Sequence, residues 1–424
     1  MRTGSLTVRG RLFLLGGILV ALSGTTLGLA DLTKVGLLLV VLPLGAALLA
    51  RRRLDVEITR SLSPRRVAVD EHADVTLEVR NLTDRRTPVV HAEEQLAYAL
   101  GDRPRMVLPR IEAGGTRGLT YRVRSHVRGR HQLGPLTIRV ADPFGLAERA
   151  STYRGSTRLT VLPRVEQLVP APERRSGAGG DSTRTHRVSL IGEDDPSVRE
   201  YRTGDDLRRI HWPSTARTGD MMVRQDEEPG HRRALVAVDD RRAGHGGTGT
   251  GGSFEWAVTA AASVVTRLFT DGYEVHLATV SGSSGSSAPM ETLDHALDVL
   301  AGLELSDEPR SGALDGAVTD FHASGGGLVV AVLGVLPEEQ VDRLGSRAHS
   351  SIALVVDREA FADARAAVGA QGTAGGADDA APDLGEVART VALLSARGWR
   401  TVRVPPGMRV AQAWSRAAAW AVPA

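Results

Sequence analysis

The densest group of charged and aromatic side chains lies between residues 189 and 228, which read SLIGEDDPSVREYRTGDDLRRIHWPSTARTGDMMVRQDEE. Glu200, Asp205, Asp206 and His211 in this segment are residue types that perform acid–base catalysis or bind hard metal ions. The pattern offers no evident nucleophile and no second histidine at ligand spacing. A hydrolase or metal-dependent enzyme built on this cluster is therefore one hypothesis, but not the favoured one.

The arginines of the same segment favour a different hypothesis. Arg199, Arg208 and Arg217 are interleaved with the carboxylates, and guanidinium groups bind carboxylates through two parallel hydrogen bonds. Trp212 could anchor such a network or provide a surface on which an arginine stacks. We expect a network that clamps the C-terminal domain and presents a surface to a partner. Surface charges without a special role are the third interpretation.

Composition excludes several classes of site. The 424 residues carry 52 basic and 50 acidic side chains, and a formal charge of +2 argues against general nucleic-acid binding. The absence of Cys excludes thiol nucleophiles, disulfides, cysteine-bound zinc and iron–sulfur clusters. Lys34 is the only lysine, and its place between two apolar segments suits neither a P-loop nor a pyridoxal Schiff base. We therefore expect no cofactor.

The first 53 residues predict a transmembrane hairpin. Residues 12–30 carry no charge and would span roughly 28 Å as a helix, against about 30 Å for the apolar core of a bilayer. Residues 35–50 are also uncharged, and arginines flank the hairpin at both ends. This charge bias predicts a multi-pass protein of the plasma membrane with both termini and most of the chain in the cytoplasm. A cleaved signal peptide and a buried hairpin of a soluble core are the alternatives.

Residues 54–168 predict a β-rich module. Apolar and polar residues alternate with period two at 55–59, 74–80, 118–124, 135–140 and 156–162. Turn sequences such as Asp142-Pro-Phe-Gly separate these segments. Six or seven strands at this spacing suggest a small antiparallel β-sandwich. Residues 169–188, which are rich in Pro, Gly, Ser and Arg, are expected to form a linker to the motif segment 189–230.

Residues 231–424 predict an α/β domain. Apolar strands are expected at 233–238, 273–280, 328–335, 352–356 and 401–404, with helical patterns between them. Such alternation is typical of a mostly parallel sheet covered by helices on both faces, with ligands at the carboxyl ends of the strands. The Gly-rich segment 244–252 lacks the lysine and spacing of a phosphate-binding loop and is expected to be flexible.

The motif segment resembles the signature of domain-of-unknown-function family 58 (DUF58), which reads R-E-Y-x-x-G-D-D-x-R-x-I-(D/H)-W followed closely by A-R. The matching residues are Arg199, Glu200, Tyr201, Gly204, Asp205, Asp206, Arg208, Ile210, His211, Trp212, Ala216 and Arg217. The hairpin, the β module and the α/β domain also resemble this family, so the resemblance covers nearly the whole chain.

The resemblance implies that the last domain is a von Willebrand factor A-like, Rossmann-type domain. Such domains carry a D-x-S-x-S metal site after the first strand, where this chain has Asp239-Asp240-Arg241-Arg242-Ala243. Asp239 is retained, but Arg241 and Ala243 replace both serines, and a cation in the loop disfavours Mg²⁺. We therefore expect no metal at this degenerate position.

The expected protein is a membrane-anchored, non-enzymatic adaptor with two transmembrane helices, a β-sandwich module and a C-terminal α/β domain. Members of the family that it resembles are commonly associated with MoxR-type AAA+ ATPases and with transglutaminase-like membrane proteins. The resemblance thus implies a role in ATPase-driven assembly or maturation of protein complexes at the membrane, with the lipid bilayer as a further partner. The hydrolase using Glu200, Asp205, Asp206 and His211 is the alternative.

Overall fold

The structure is a computed structural model that describes most of the chain. The described residues are 2–50, 54–170, 198–201, 210–224, 232–280, 288–307, 313–344, 351–369 and 385–419. Gly204, Asp205, Asp206 and Arg208 of the signature and residues 171–188 of the expected linker lie outside this range.

The N-terminal hairpin consists of α1 (Val8–Thr26) and α2 (Ala30–Ala50), and each helix is long and apolar enough to cross a membrane. The first helix begins four residues earlier than the uncharged segment, because the Thr7 hydroxyl caps it by accepting a hydrogen bond from Gly10 N at 3.2 Å. Large apolar side chains such as Leu12 and Leu19 point away from the protein. The outward-facing apolar surface favours a lipid environment over the core of a soluble domain.

Glycines bring the two helices into close contact. A Cβ added at Gly36 would lie 2.3 Å from Ala21 N, and one added at Gly24 would lie 2.6 Å from Thr33 N. A Cβ added at Gly17 would lie 2.9 Å from Leu39 Cβ. Small residues at helix contacts are typical of packing in membranes, where backbone proximity replaces the hydrophobic effect as the source of attraction.

The β module contains two sheets. Its strands are β1 (Arg2–Leu6), β2 (Val56–Ser63), β3 (Arg66–Ala68), β4 (His72–Asn81), β5 (Val90–Leu96), β6 (Arg105–Leu108), β7 (Thr116–Arg124), β8 (Gly129–Ala141), β9 (Ala147–Tyr153) and β10 (Thr157–Leu162). One sheet has the order β2-β4-β7, and the other follows β1-β9-β8-β10-β3, with β5 beside β8 and β6 beside β5. Pairing is antiparallel except between β3 and β10.

The core of this module is formed by both sheets. Leu77 of β4 and Leu136 of β8 belong to one buried cluster, and Val75 of β4 and Leu159 of β10 belong to another. The period-two alternation agrees with the burial of β4, where every second residue is buried. The expected segments do not include β1, β3, β5, β6 and β9, and β3 and β6 have too few residues for an alternation to be recognised in the sequence.

The hairpin is joined to the module at both of its ends. The sequence pattern assigns residues 2–6 to the hairpin, but they form β1 and pair with β9. Thr7 then donates two hydrogen bonds to the turn before β9, from N to Leu146 O at 2.9 Å and from Oγ1 to Gly145 O at 2.7 Å. Ala46 and Ala50 of α2 pack against Leu146. Both ends of the hairpin therefore lie on the side of the module.

The signature forms a small ribbon. β11 (Val198–Glu200) pairs antiparallel with β12 (Met222–Arg224), and α3 (Trp212–Thr218) precedes β12.

The C-terminal domain alternates strands and helices. These are β13 (Arg233–Val238), α4 (Ser253–Thr270), β14 (Glu274–Thr279), α5 (Leu293–Ala301), α6 (Ala313–Ala323), β15 (Leu328–Leu333), α7 (Glu338–Arg343), β16 (Ser351–Val356), α8 (Arg358–Gly369), α9 (Glu386–Ala396), β17 (Arg400–Val404) and α10 (Val410–Ala419). The sheet is parallel, with the order β14-β13-β15-β16-β17. Successive residues of β13 enter different core clusters, Val236 one and Leu235 the other, so both faces of the sheet are covered.

The segment after β10 fastens the module to this domain. Leu168 is buried in the core cluster that includes α4 and α10. Trp414 Nε1 donates to Val169 O at 2.9 Å, and Glu166 N donates to Ser263 Oγ at 2.9 Å. The end of the β module is thus packed into the α/β domain through residue 169, where the sequence predicts a linker.

Candidate functional site

The two ends of the signature flank the strand β12. Arg199 and Ile210 both pair with Val223, and they do so from the two edges of β12. Tyr201 N donates to Met221 O at 2.7 Å, and His211 N donates to Met222 O at 2.8 Å. These contacts place Tyr201 and His211 on opposite edges of β12, and residues 202–209 of the signature lie outside the described residues.

A short helix follows the second edge. Pro213 lies in the first turn of α3, where its missing N–H costs no helical hydrogen bond, and Gly219 ends the helix with φ of 84°. The Thr215 hydroxyl donates to His211 O at 3.1 Å and accepts from Met222 N at 3.0 Å, which ties the helix to β12. These contacts orient α3 although it has no buried residue.

Two large apolar side chains of this ribbon are exposed. Trp212 is 67% exposed and Met221 is 47% exposed, whereas Val223 of the same ribbon is buried. The His211–Met222 hydrogen bond brings residues 212 and 221 to neighbouring positions. Ala216 and Arg217 are also exposed on α3. Tryptophan and arginine are the side chains most often found at the energetic centre of protein interfaces.

The structure describes only two of the four residues of the predicted acid–base cluster, Glu200 and His211. Glu200 and His211 face opposite edges of β12 at Met222, so their backbones are about 9.5 Å apart, twice the spacing between strands. The side chain of His211 contacts a residue that the sequence did not suggest: Nδ1 lies 2.9 Å from the Ser214 hydroxyl. Asp205 and Asp206 lie outside the described residues.

The degenerate metal position lies at the carboxyl end of β13 and contains its own cation. Asp239 is fully buried. Its Oδ1 accepts from Arg241 N at 3.0 Å and from Arg241 Nε at 2.9 Å. Its Oδ2 accepts from Arg241 Nη2 at 2.7 Å and from Gly334 N at 3.0 Å. A carboxylate has about four acceptor positions, and here all are used.

The Arg241 guanidinium also donates hydrogen bonds from each of its three nitrogens. Beyond Asp239 it donates from Nη2 to Val335 O at 3.0 Å and from Nη1 to Gln340 Oε1 at 3.0 Å. A Cβ at Gly334 would lie 2.1 Å from Gly244 O, so the backbone approach that completes the site requires glycine there. The sequence predicts that Arg241 disfavours Mg²⁺, and the geometry supplies the reason: the guanidinium occupies the oxygens that would ligate the ion.

The buried residue His245 lies next to this site and is within hydrogen-bond distance of the Asp239 backbone. His245 Nε2 lies 2.6 Å from Asp239 O and Nδ1 lies 3.0 Å from Ser253 Oγ. Burial lowers the pKa of His245 and outweighs the nearby charge of Asp239, which acts in the opposite direction. Gly246 N donates to the same serine at 2.9 Å. The expected flexible loop is therefore packed at its first residues, and a Cβ added at Gly246 would lie 1.9 Å from the carbonyl oxygen of Arg358.

The histidine connects this site to the β module. The Phe254 ring meets His245 edge to face at 5.2 Å between centroids, and the Arg128 guanidinium lies 5.0 Å from the Phe254 centroid. Arg128 is a buried residue of the module that pairs with Glu255 and donates to the carbonyl of Leu303 at 2.7 Å. Nothing in the sequence distinguishes Arg128, since it is one arginine among many.

A family model matches the segment that holds both sites. The family is described as Protein of unknown function DUF58, and the match covers residues 197–356. The Uncharacterized protein YeaD of Bacillus subtilis (strain 168) is 25% identical over 179 residues, which are 42% of this chain and 42% of YeaD. The match thus spans less than half the length of that relative.

Similarity to solved structures is weak. The CARDB domain of the PF1109 protein from Pyrococcus furiosus, in complex with di-metal ions, has 14% identity and a TM-score of 0.20, covering 26% of this chain and 89% of that domain. Alkylpurine DNA glycosylase AlkC of Pseudomonas fluorescens, bound to DNA, has 13% identity and a TM-score of 0.19, covering 31% of this chain and 38% of AlkC.

Proposed function

We propose that this protein is a membrane-anchored, non-enzymatic adaptor whose signature ribbon is a docking surface. The observation that carries the proposal is the exposure of Trp212 and Met221 on a ribbon that hydrogen bonds hold in one conformation. A large apolar surface held in place loses little entropy on binding, which favours recognition. Arg217 beside it would add a charge-assisted contact.

The hairpin anchors the adaptor in the plasma membrane, with the β module and the α/β domain in the cytoplasm. Support comes from the outward-facing leucines of α1 and α2 and from the joining of both helix ends to the module. Arg9 and Arg11 lie at the module end of α1, the arrangement expected for a cytoplasmic face.

The two folded parts are a β-sandwich and a von Willebrand factor A-like domain. Core clusters shared by the two sheets support the first assignment. The parallel sheet with β13 inside it and Asp239 at its carboxyl end supports the second. The Arg241–Asp239 pair takes the place of the metal, so recognition by this domain proceeds without a bridging ion.

The partner that we propose is a MoxR-type AAA+ ATPase, with a transglutaminase-like membrane protein as a second member of the assembly. This follows from the resemblance to DUF58 and makes the chain a membrane platform for ATPase-driven assembly or maturation of protein complexes.

Co-purification with the ATPase tests the docking surface. Full-length protein and the ATPase are co-expressed, and capture is measured for wild type, Trp212→Ala, Met221→Ala and Tyr98→Ala. Tyr98 is a fully exposed aromatic residue of the β module and serves as the matched control. We expect the Trp212 variant to bind at least about tenfold more weakly and the Tyr98 variant to bind as wild type. No capture of the ATPase by wild type, or equal capture by the Trp212 variant, contradicts the proposal.

The second candidate is a hydrolase using Glu200, Asp205, Asp206 and His211. The contact of His211 with the Ser214 hydroxyl favours it, since a base beside a hydroxyl is the start of a nucleophilic site. A fluorophosphonate probe that labels wild type, but not Ser214→Ala or His211→Gln, would support this candidate over the adaptor.

A further inference from the structure

A cavity of about 620 Å³ opens where the hairpin meets the β module. Its wall includes Ala50, the last residue of α2, and Pro143, which lies in the turn that Thr7 contacts. The volume lies within the range of about 300–1,000 Å³ that is usual for small-ligand sites.

The hairpin determines where the cavity lies relative to the membrane. The apolar stretch of α2 ends at Ala50, and α1 begins at Val8 beside the same turn. With the hairpin across a bilayer, the cavity lies at the level of the lipid headgroups, so the inference rests on the membrane anchoring proposed above. Leu82 and Phe144, chain neighbours of the lining residues Thr83 and Pro143, are 53% and 63% exposed and would contact the lipid next to the headgroups.

The cavity presents charges of both signs. Asp55, Asp84, Arg85 and Arg110 line it and are exposed. Within the part of the chain that the structure describes, none of these four has an ion-pair partner. Elsewhere in the wall, by contrast, the carboxylate of Asp142 accepts from Phe144 N at 2.8 Å and is used within the turn.

We propose that this cavity binds the phosphoethanolamine headgroup of a membrane lipid. Arg85 and Arg110 hold the phosphate, because guanidinium groups form paired hydrogen bonds with its oxygens. Asp55 and Asp84 accept hydrogen bonds from the primary ammonium. A choline headgroup has the same phosphate but no N–H donor, and a glycerol headgroup has the phosphate without a cation, so each leaves the two carboxylates without a charged donor.

Binding is measured on the full-length chain in detergent micelles. The chain has no Cys, so Leu82→Cys provides a unique position for an environment-sensitive fluorophore beside the cavity. The protein is titrated with dihexanoyl lipids carrying ethanolamine, choline or glycerol headgroups, and with free phosphoethanolamine. We expect the ethanolamine lipid to bind about tenfold more tightly than the other three ligands. Equal binding of the choline lipid, tighter binding of the glycerol lipid, or equal binding of free phosphoethanolamine overturns the proposal.

Paired variants separate the two halves of the site. Asp55→Asn with Asp84→Asn should remove the preference for ethanolamine over choline, and Arg85→Ala with Arg110→Ala should weaken both lipids. The matched control is Asp102→Asn with Arg103→Ala, an exposed acid–base pair in a cavity at the far end of the β5–β6 hairpin. Wild-type selectivity in the first pair, or wild-type affinity in the second, overturns the assignment of those residues.

The anchor is tested separately from the headgroup. Resistance to carbonate extraction from vesicles made only of choline lipid reports the hairpin alone. Loss of that resistance would remove the anchoring on which the inference depends, while lack of lipid selectivity in micelles would remove the headgroup site and leave the anchor intact.

Discussion

At the scale of single residues, one arginine occupies the carboxyl end of β13, where the resemblance to DUF58 implies a degenerate metal position. Arg241 neutralises the buried Asp239 and also bridges to the segment after β15 through Val335 O. A covalently attached cation cannot dissociate or be exchanged, so the carboxyl edge of the sheet is held in one state. The physical consequence is rigidity at the point where a sheet of this kind usually binds a ligand.

Introducing the two serines of the D-x-S-x-S pattern should create metal dependence. The double variant Arg241→Ser, Ala243→Ser removes the guanidinium from the oxygens of Asp239 and adds two hydroxyls to the segment that follows it, and carboxylate and hydroxyl oxygens are the hard ligands that Mg²⁺ prefers. We expect Mg²⁺ to stabilise this variant by about 2.7 kcal/mol at 100 times its Kd, measured by thermal unfolding, and to leave wild type unchanged. Arg241→Ala, which frees the carboxylate without adding hydroxyls, is the control. A Mg²⁺ shift in wild type would contradict the role given to Arg241.

The buried His245 should make stability depend on pH. Its pKa in the folded protein is lowered from 6.5 by burial, so the unfolded chain binds a proton more readily. The stability contributed by the neutral ring is therefore complete above about pH 6.5 and is lost as the pH falls from there through the folded pKa. His245→Gln should show a shallower loss of unfolding free energy between pH 7.5 and 5.5 than wild type. His91→Gln, an exposed control, should retain the wild-type slope.

At the scale of elements, packing between α1 and α2 depends on glycine. Gly36→Val places a side chain against the backbone of Ala21, where a Cβ already lies 2.3 Å from nitrogen, so the helices must separate. We expect a loss of about 1–3 kcal/mol in thermal unfolding of the detergent-solubilised protein. Gly16→Val makes the same change of helix propensity at a position with nothing within 4 Å, and it should be tolerated. Equal losses in both variants would mean that propensity, and not helix contact, sets the effect.

At the scale of the whole molecule, Arg128 should hold the β module on the α/β domain. Its guanidinium donates to Leu303 O, pairs with Glu255 and lies over Phe254, all contacts with the other domain. Arg128→Ala leaves Glu255 without this partner and should cost about 3 kcal/mol, separating one calorimetric transition into two. Arg130→Ala removes only an exposed hydrogen bond to Asp298 O and should leave a single transition. An unchanged transition in Arg128→Ala would assign the docking to the segment around Leu168 instead.

The elements could be predicted well where a long pattern determines them. β13 agrees residue for residue with its apolar run, and the ends of β4, β10 and β16 differ by one or two residues. The sequence does not predict α6 and α8, although Leu314, Ala317, Val318 and Phe321 of α6 form an apolar face at helical spacing that is buried in one core cluster. The signature is the basis of the proposed docking surface, but it does not predict that Trp212 is on the surface or that Ser214 contacts His211.

The sequence by itself determined the apolar hairpin, most strands and the Arg and Ala at positions 241 and 243, since these depend on residues close together in the chain. Only the tertiary structure decided that Arg241 pairs with the buried Asp239, that Arg128 enters the other domain and that a cavity lined by charges of both signs lies beside Ala50. The physical reason is distance along the chain: Gly334 reaches Asp239 across 95 positions and Arg128 reaches Leu303 across 175. No local pattern records such contacts, because folding alone brings their partners together.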